Sequence, residues 1–182
     1  MKSSGLLGKK GLYLLWAVLF VYSGFLFNFG PYTQLKALVD GKELPEEKFG
    51  VKPEEFYEFL EKIGASGVST YSTFQLLDYL NGILLAAALF STLYLFLGRL
   101  GAGQTVRSVL VFPVCMGTLD VIENSGVLYL LRQYPEKLES FASNVAFITN
   151  AKLVFGMFGF LSLIFCAVVL IFRAIFGTKA ED

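Results

Sequence analysis

The chain has 182 residues, of which 55% are hydrophobic and 16% charged, with 15 basic against 15 acidic side chains and no histidine. Soluble domains carry charge on about a quarter of their residues, and a mean hydropathy of +0.61 points to a chain built for lipid. Composition excludes a disordered chain, a basic nucleic-acid-binding protein and a disulfide-stapled secreted domain. It also excludes every mechanism that needs imidazole, including the histidine triads and His-ligated zinc or haem.

A membrane helix needs about 20 mostly apolar residues. Four windows qualify in chain order, at about 11–29, 79–98, 108–131 and 152–172, each ended by charges or breakers. The expected fold is therefore an all-α integral membrane protein, a four-transmembrane-helix bundle forming a single membrane domain over 1–182. Lys2, Lys9 and Lys10 ahead of the first window resemble a signal-peptide leader, with Val21, Tyr22 and Ser23 as a tolerable cleavage site. The apolar run continues through Phe25, Leu26, Phe27 and Phe29, which predicts an uncleaved first helix.

Basic residues set the orientation of such proteins. Lys2, Lys9, Lys10, Arg99, Arg107, Arg173 and Lys179 abut span ends on one side. Those on the other side are mostly dispersed through one long loop. This predicts that both termini are cytoplasmic. Trp16 and Tyr13 at one end, and Tyr32, Tyr71, Tyr79, Tyr129 and Tyr134 at the other, suit the headgroup layer.

The first outer loop, 30–78, holds a short amphipathic helix over 51–64. Pro53 suits a first turn, Glu54 and Glu55 suit the positive end of the helix dipole, and Gly64 is a stop signal. Phe56, Phe59, Leu60 and Ile63 form one apolar face, either lying on the bilayer or capping the bundle. The small, hydroxyl-rich stretch 65–73 reads as a linker and then a helix start.

The third window carries charges of its own. Arg107 and Arg132 bracket a segment about 36 Å long, which places Asp120 near the midplane and Glu123 about 4.5 Å further out. Asp120, Glu123 and Asn124 stand at i, i+3 and i+4 and share a helix face, with Pro113, Met116 and Gly117 continuing it. An Asp at the centre of a membrane helix costs about 2.5–3.5 kcal/mol. The expected escape is an inward-facing stripe, with a protonated Asp120 and a contact between Glu123 and Lys152; the alternative is that Lys152 snorkels to the outer interface. Lys152 shares a face of the fourth helix with Thr149, Gly156 and Gly159. Placed at the start of its span, it reaches Glu123 or Asn124 more easily than Asp120. Asp78, Asn81, Asn28, Thr149 and Asn150 read as caps or interface groups, or as the rim of a polar vestibule.

The cysteines, Cys115 and Cys166, are isolated in apolar windows and read as buried small hydrophobes. No metal site and no cofactor is expected. The 101–105 segment is an inner turn without a phosphate-cradling pattern. In layout the chain resembles claudin-like and tetraspanin proteins, with four spans and a long first outer loop. It has neither the Gly-Leu-Trp motif with paired cysteines of the one nor the Cys-Cys-Gly motif of the other.

Intramembrane carboxyls mark functional sites by default. The leading expectation is a membrane bundle that binds a lipid or hydrophobic small molecule at Asp120, Glu123, Asn124 and Lys152. The alternatives are a proton or cation pathway through the same carboxylates, or a membrane enzyme with a carboxylate general acid/base. The expected partners are the lipid bilayer and that ligand, with no nucleic acid. The segment 108–119 carries no charge, which favours binding over a complete proton path.

Overall fold

The computed structural model describes residues 8–176. Its elements are α1 (Lys9–Asn28), α2 (Pro31–Leu38), a 3-10 turn (Pro45–Glu47), α3 (Pro53–Leu100), α4 (Gln104–Arg107), a second 3-10 turn (Ser108–Leu110), α5 (Val111–Gln133) and α6 (Glu139–Phe176). No strand occurs among the described residues. Four helical segments are long and apolar enough to cross a membrane, at Lys9–Leu38, Pro53–Leu100, Gln104–Gln133 and Glu139–Phe176. Their arrangement is compatible with a four-helix membrane bundle: α3, α5 and α6 pack mutually, and α1 packs on α3. Lys2 and Lys179 lie outside the described residues.

Two helices run well beyond the expected spans. The second and fourth windows, 79–98 and 152–172, are parts of much longer helices, 48 and 38 residues in length. The charges that flank those windows, Asp78 and Lys152, sit inside helical rods. Lys152 lies about 20 Å along α6 from its first residue, at 1.5 Å per residue. The third window needs little change, since 108–131 falls within the segment Gln104–Gln133.

The outer loop is also more ordered than expected. Within 30–78, only Gly30 and 39–52 lie outside α-helix, and the second stretch contains the first 3-10 turn. The amphipathic helix exists as the first part of α3, and 65–73 is helix rather than linker. Gly64 joins the two parts at φ 65°, ψ −177°, a non-helical conformation that kinks the rod. A side chain is disfavoured at that φ, and nothing else would obstruct a Cβ there. The kink lets the 53–63 segment fold back over the bundle. Phe56, Leu60 and Ile63 are buried with Leu26, Leu35, Val39, Leu44, Val127, Leu130 and Val145. The apolar face therefore caps the bundle. It does not lie on a bilayer surface.

Outside that cap the long helices turn apolar side chains outward. Phe20, Val21, Ile83, Phe165 and Ile171 are each more than half exposed. A water-soluble protein rarely exposes contiguous apolar area on this scale. Of the aromatic residues expected at the headgroup layer, Tyr71 departs. Tyr13 is exposed, but Tyr71 is fully buried. The Trp16 indole N–H donates to Thr92 Oγ1 at 3.0 Å, which ties α1 to α3.

Candidate functional site

The α5 face carrying Asp120, Glu123 and Asn124 is buried along with Pro113, Met116 and Gly117, while Val114 and Ile122 face outward. Helical periodicity alone puts the acids inside, where α3 and α6 meet them. Lys152 on α6 bridges two of them. Its Nζ lies 3.2 Å from Asp120 Oδ1 and in closer contact with Glu123 Oε2. The side chains of Lys152, Asp120 and Glu123 are 13%, 11% and 0% exposed, so this is a buried triad and Lys152 does not snorkel to an interface. Glu123 also accepts a 2.5 Å hydrogen bond from Thr149 Oγ1, one turn before Lys152 on the same helix. The expected Glu123–Lys152 contact is present and is the closer of the two, and the structure adds Asp120. Set well inside α6, Lys152 reaches both acids.

Asp120 lies flat against α3. A Cβ on Gly82 would come within 1.8 Å of Asp120 Oδ2 and 2.6 Å of its Cγ. Only the missing side chain at Gly82 makes room for the carboxylate. Asn124 bridges onward. Its Nδ2 lies 3.5 Å from both Asp120 Oδ2 and Asp78 Oδ2. Asp78 Oδ1 accepts from Asn81 Nδ2 at 3.2 Å, and Asn81 Oδ1 accepts from Ser23 Oγ of α1 at 2.6 Å. One polar network thus draws on all four long helices. Asp78 and Asn81 belong to it. Asn28 bonds its own helix at Gly24 O, and Asn150 Oδ1 accepts from Gly50 N in the loop.

The loop adds a fourth carboxyl. The Pro45–Glu47 turn aims Glu46 into the bundle, where Gln75 Nε2 donates to its Oε1 at 2.8 Å and Tyr71 OH contacts its Oε2. Part of Glu46 keeps surface exposure, but its carboxyl lies deep among protein atoms. That burial pushes it up to about 8, with the Glu123 charge acting the same way and the Tyr71 hydrogen bond and Lys152 opposing. Glu47 beside it faces the other way, paired with Lys36 at 2.8 Å and Tyr32 at 2.5 Å. A void of about 20 Å³ lies among Glu46, Tyr71, Glu123 and Thr149, room for one water.

A larger cavity of about 480 Å³ opens beside the triad. Its polar wall includes Glu46, Asp78, Asn81, Asp120 and Lys152. Its apolar wall comes from Phe27 of α1, Phe74 and Leu85 of α3, Met116 of α5, and Met157 and Phe160 of α6. It lies between α1 and α6, helices with no extensive contact with one another. Met157 and Phe160 are also exposed on the outer surface. The volume suits a small molecule. No cluster of metal-ligating side chains occurs among the described residues.

Reading the sequence missed Glu46, Tyr71, Gln75 and Gly82 as parts of this site. The signal for Asp78 was present: it stands one turn ahead of Gly82, and Asn81 lies beside it on the helix face. For Glu46 no local signal exists, because a loop fold brings it in. Comparison with known proteins places the chain in no family: no family model, no curated protein and no solved structure matches it.

Proposed function

We propose that this chain is a multi-pass membrane protein that holds a lipid or other amphipathic small molecule at its intramembrane polar network. The observation that carries this reading is the 480 Å³ cavity, where the Asp78–Asp120–Lys152 side meets a wall of Phe, Leu and Met. A molecule with one polar end and an apolar body matches both walls at once. Asp78, Asp120 and Lys152 form the wall that the polar end faces. Glu123 and Asn124 stand behind them and set their positions.

The same reading orients the chain with both termini on the cytoplasmic side. Lys9, Lys10, Arg99, Arg107 and Arg173 share one end of the bundle, while the described acids lie toward the other end or at the network. The capped end, with 53–63 folded over it, then faces outward.

Native mass spectrometry after extraction in a mild detergent tests the function. The wild-type chain is expected to retain a non-covalent amphipath. A Leu85→Trp variant, which fills the cavity from its apolar wall, is expected to lose it while keeping the folded helical content. Retention of the same molecule by Leu85→Trp at unchanged occupancy would overturn the reading.

A further inference from the structure

Resting on that ligand-binding reading, we propose that the cavity selects an amphipath whose polar end is an organic ammonium, bound at Asp78. Lys152 is committed to Glu123 and Asp120. Asp78 is 91% buried, its relative exposure being 9%, and it lines the cavity. No Lys or Arg pairs with it among the described residues. Its partners are two neutral amides, Asn81 at 3.2 Å and Asn124 at 3.5 Å, the second at the outer limit of a hydrogen bond. A carboxylate removed from water calls for a cation or for several strong donors.

A second observation points to a donor-rich guest. Asn124 is 1% exposed, and its Oδ1 has no hydrogen-bond partner. Its amide spends both long contacts on Asp78 and Asp120, leaving an unmatched acceptor behind the acids. An ammonium carries donors and no acceptor. Placed at Asp78 it satisfies the carboxylate and relieves Asn124 of bonding two acids, so the amide is free to turn. The walls complete the match. Phe27, Phe74 and Phe160 line the same cavity, and aromatic faces attract alkylammonium groups when water is excluded. An anionic head would face Asp78 and Asp120 against one lysine already paired with Asp120 and Glu123, so fatty acids and phosphates are rejected by charge. A neutral hydroxyl fits the space and leaves Asp78 without a cation.

The test uses the full chain in neutral maltoside micelles at pH 7 with three probes of equal tail length: dodecylamine, dodecanol and dodecanoate. Binding is read by equilibrium dialysis, corrected for partition into protein-free micelles. Dodecylamine is expected to bind at least tenfold more tightly than dodecanol, and dodecanoate more weakly than either. Asp78→Asn is expected to remove that tenfold preference, and Asp78→Glu to keep it. Equal binding of amine and alcohol by the wild-type chain overturns the ammonium assignment and leaves the cavity reading standing; that comparison needs no variant. An undiminished amine preference in a folded Asp78→Asn variant also overturns it. Failure of all three probes, in a chain that retains no amphipath on extraction, overturns both readings together.

Discussion

Lys152→Met removes the one cation from the buried triad while keeping a long apolar stem. Glu123 is then left with Thr149 alone, and Asp120 with the distant Asn124 amide. Breaking a buried ion pair by deleting one partner costs about 3–5 kcal/mol. A second route gives a similar figure. The variant escapes by protonating a carboxyl, and protonating an ordinary Glu or Asp at pH 7 costs roughly 4 kcal/mol at 1.36 kcal/mol per pH unit. The expected loss is therefore about 4 kcal/mol, close to a thousandfold in the unfolding equilibrium. It is read by titrating the folded chain from maltoside into dodecyl sulfate micelles and following helical content. The loss should shrink as pH falls, by up to about 1.4 kcal/mol per unit for each carboxyl that takes up a proton. Adding Glu123→Gln and Asp120→Asn to the variant should restore most of the stability, since a neutral set needs no cation. A loss below about 1 kcal/mol, flat between pH 5 and 8, would refute the buried-triad argument.

Glu46 makes the loop pH-sensitive. Its folded value of about 8 lies above the ordinary 4.5, so the closed loop binds a proton that the open loop releases. Closure is fully stabilised below about pH 4.5 and is lost as pH rises through 8, at no more than about 1.4 kcal/mol per unit. Amide exchange of 39–52, corrected for its intrinsic pH dependence, should accelerate over that window in the wild-type chain and stay flat in Glu46→Gln; equal slopes in both would remove Glu46 as the cause. Gly82→Ala should destabilise by about 1–3 kcal/mol, the usual cost of overpacking, because the added carbon collides with the Asp120 carboxyl. Gly24→Ala on α1, with open space around its Cβ, should instead stabilise by up to about 1 kcal/mol. Thermal unfolding of the pair, with opposite signs, checks both.

The parts of the fold legible in the sequence are those governed by local periodicity. The 3.6-residue repeat put Asp120, Glu123 and Asn124 on one face with Pro113, Met116 and Gly117, and that face is the buried one. It also made a helix of 53–63 and turned Phe56, Leu60 and Ile63 to one side. Charges do not mark the ends of these helices, for a physical reason. A charge ends a span only when it must reach water, and Lys152 and Asp78 reach other polar groups instead. The segment 65–73 misled in a related way. Its Ser and Thr residues look like a linker, yet Thr70, Ser72 and Thr73 bond the carbonyls one turn back and leave the helix intact. Glu46 was out of reach altogether, because a loop contact with Tyr71 and Gln75 spans 25 and 29 residues and has no periodic trace.

A network that only fixed the register of four helices would close on itself. The Lys152–Glu123–Thr149 corner does close: one cation, one fully buried carboxylate, one hydroxyl. Burying such a group yields specificity of packing more than stability, and nothing beyond packing is needed to explain it. The Asp78 corner differs. There, among the described residues, no Lys or Arg pairs with a buried carboxylate, an amide stretches 3.5 Å to two acids, its oxygen has no donor, and a cavity of small-molecule size lies alongside. Each of these is costly in a protein interior, and filling the cavity with larger side chains would have removed the whole set. Local rules are broken together at functional sites and rarely elsewhere. The asymmetry between the two corners, and not the presence of acids as such, supports assigning binding to Asp78 and Asp120, and scaffolding to Glu123 and Thr149.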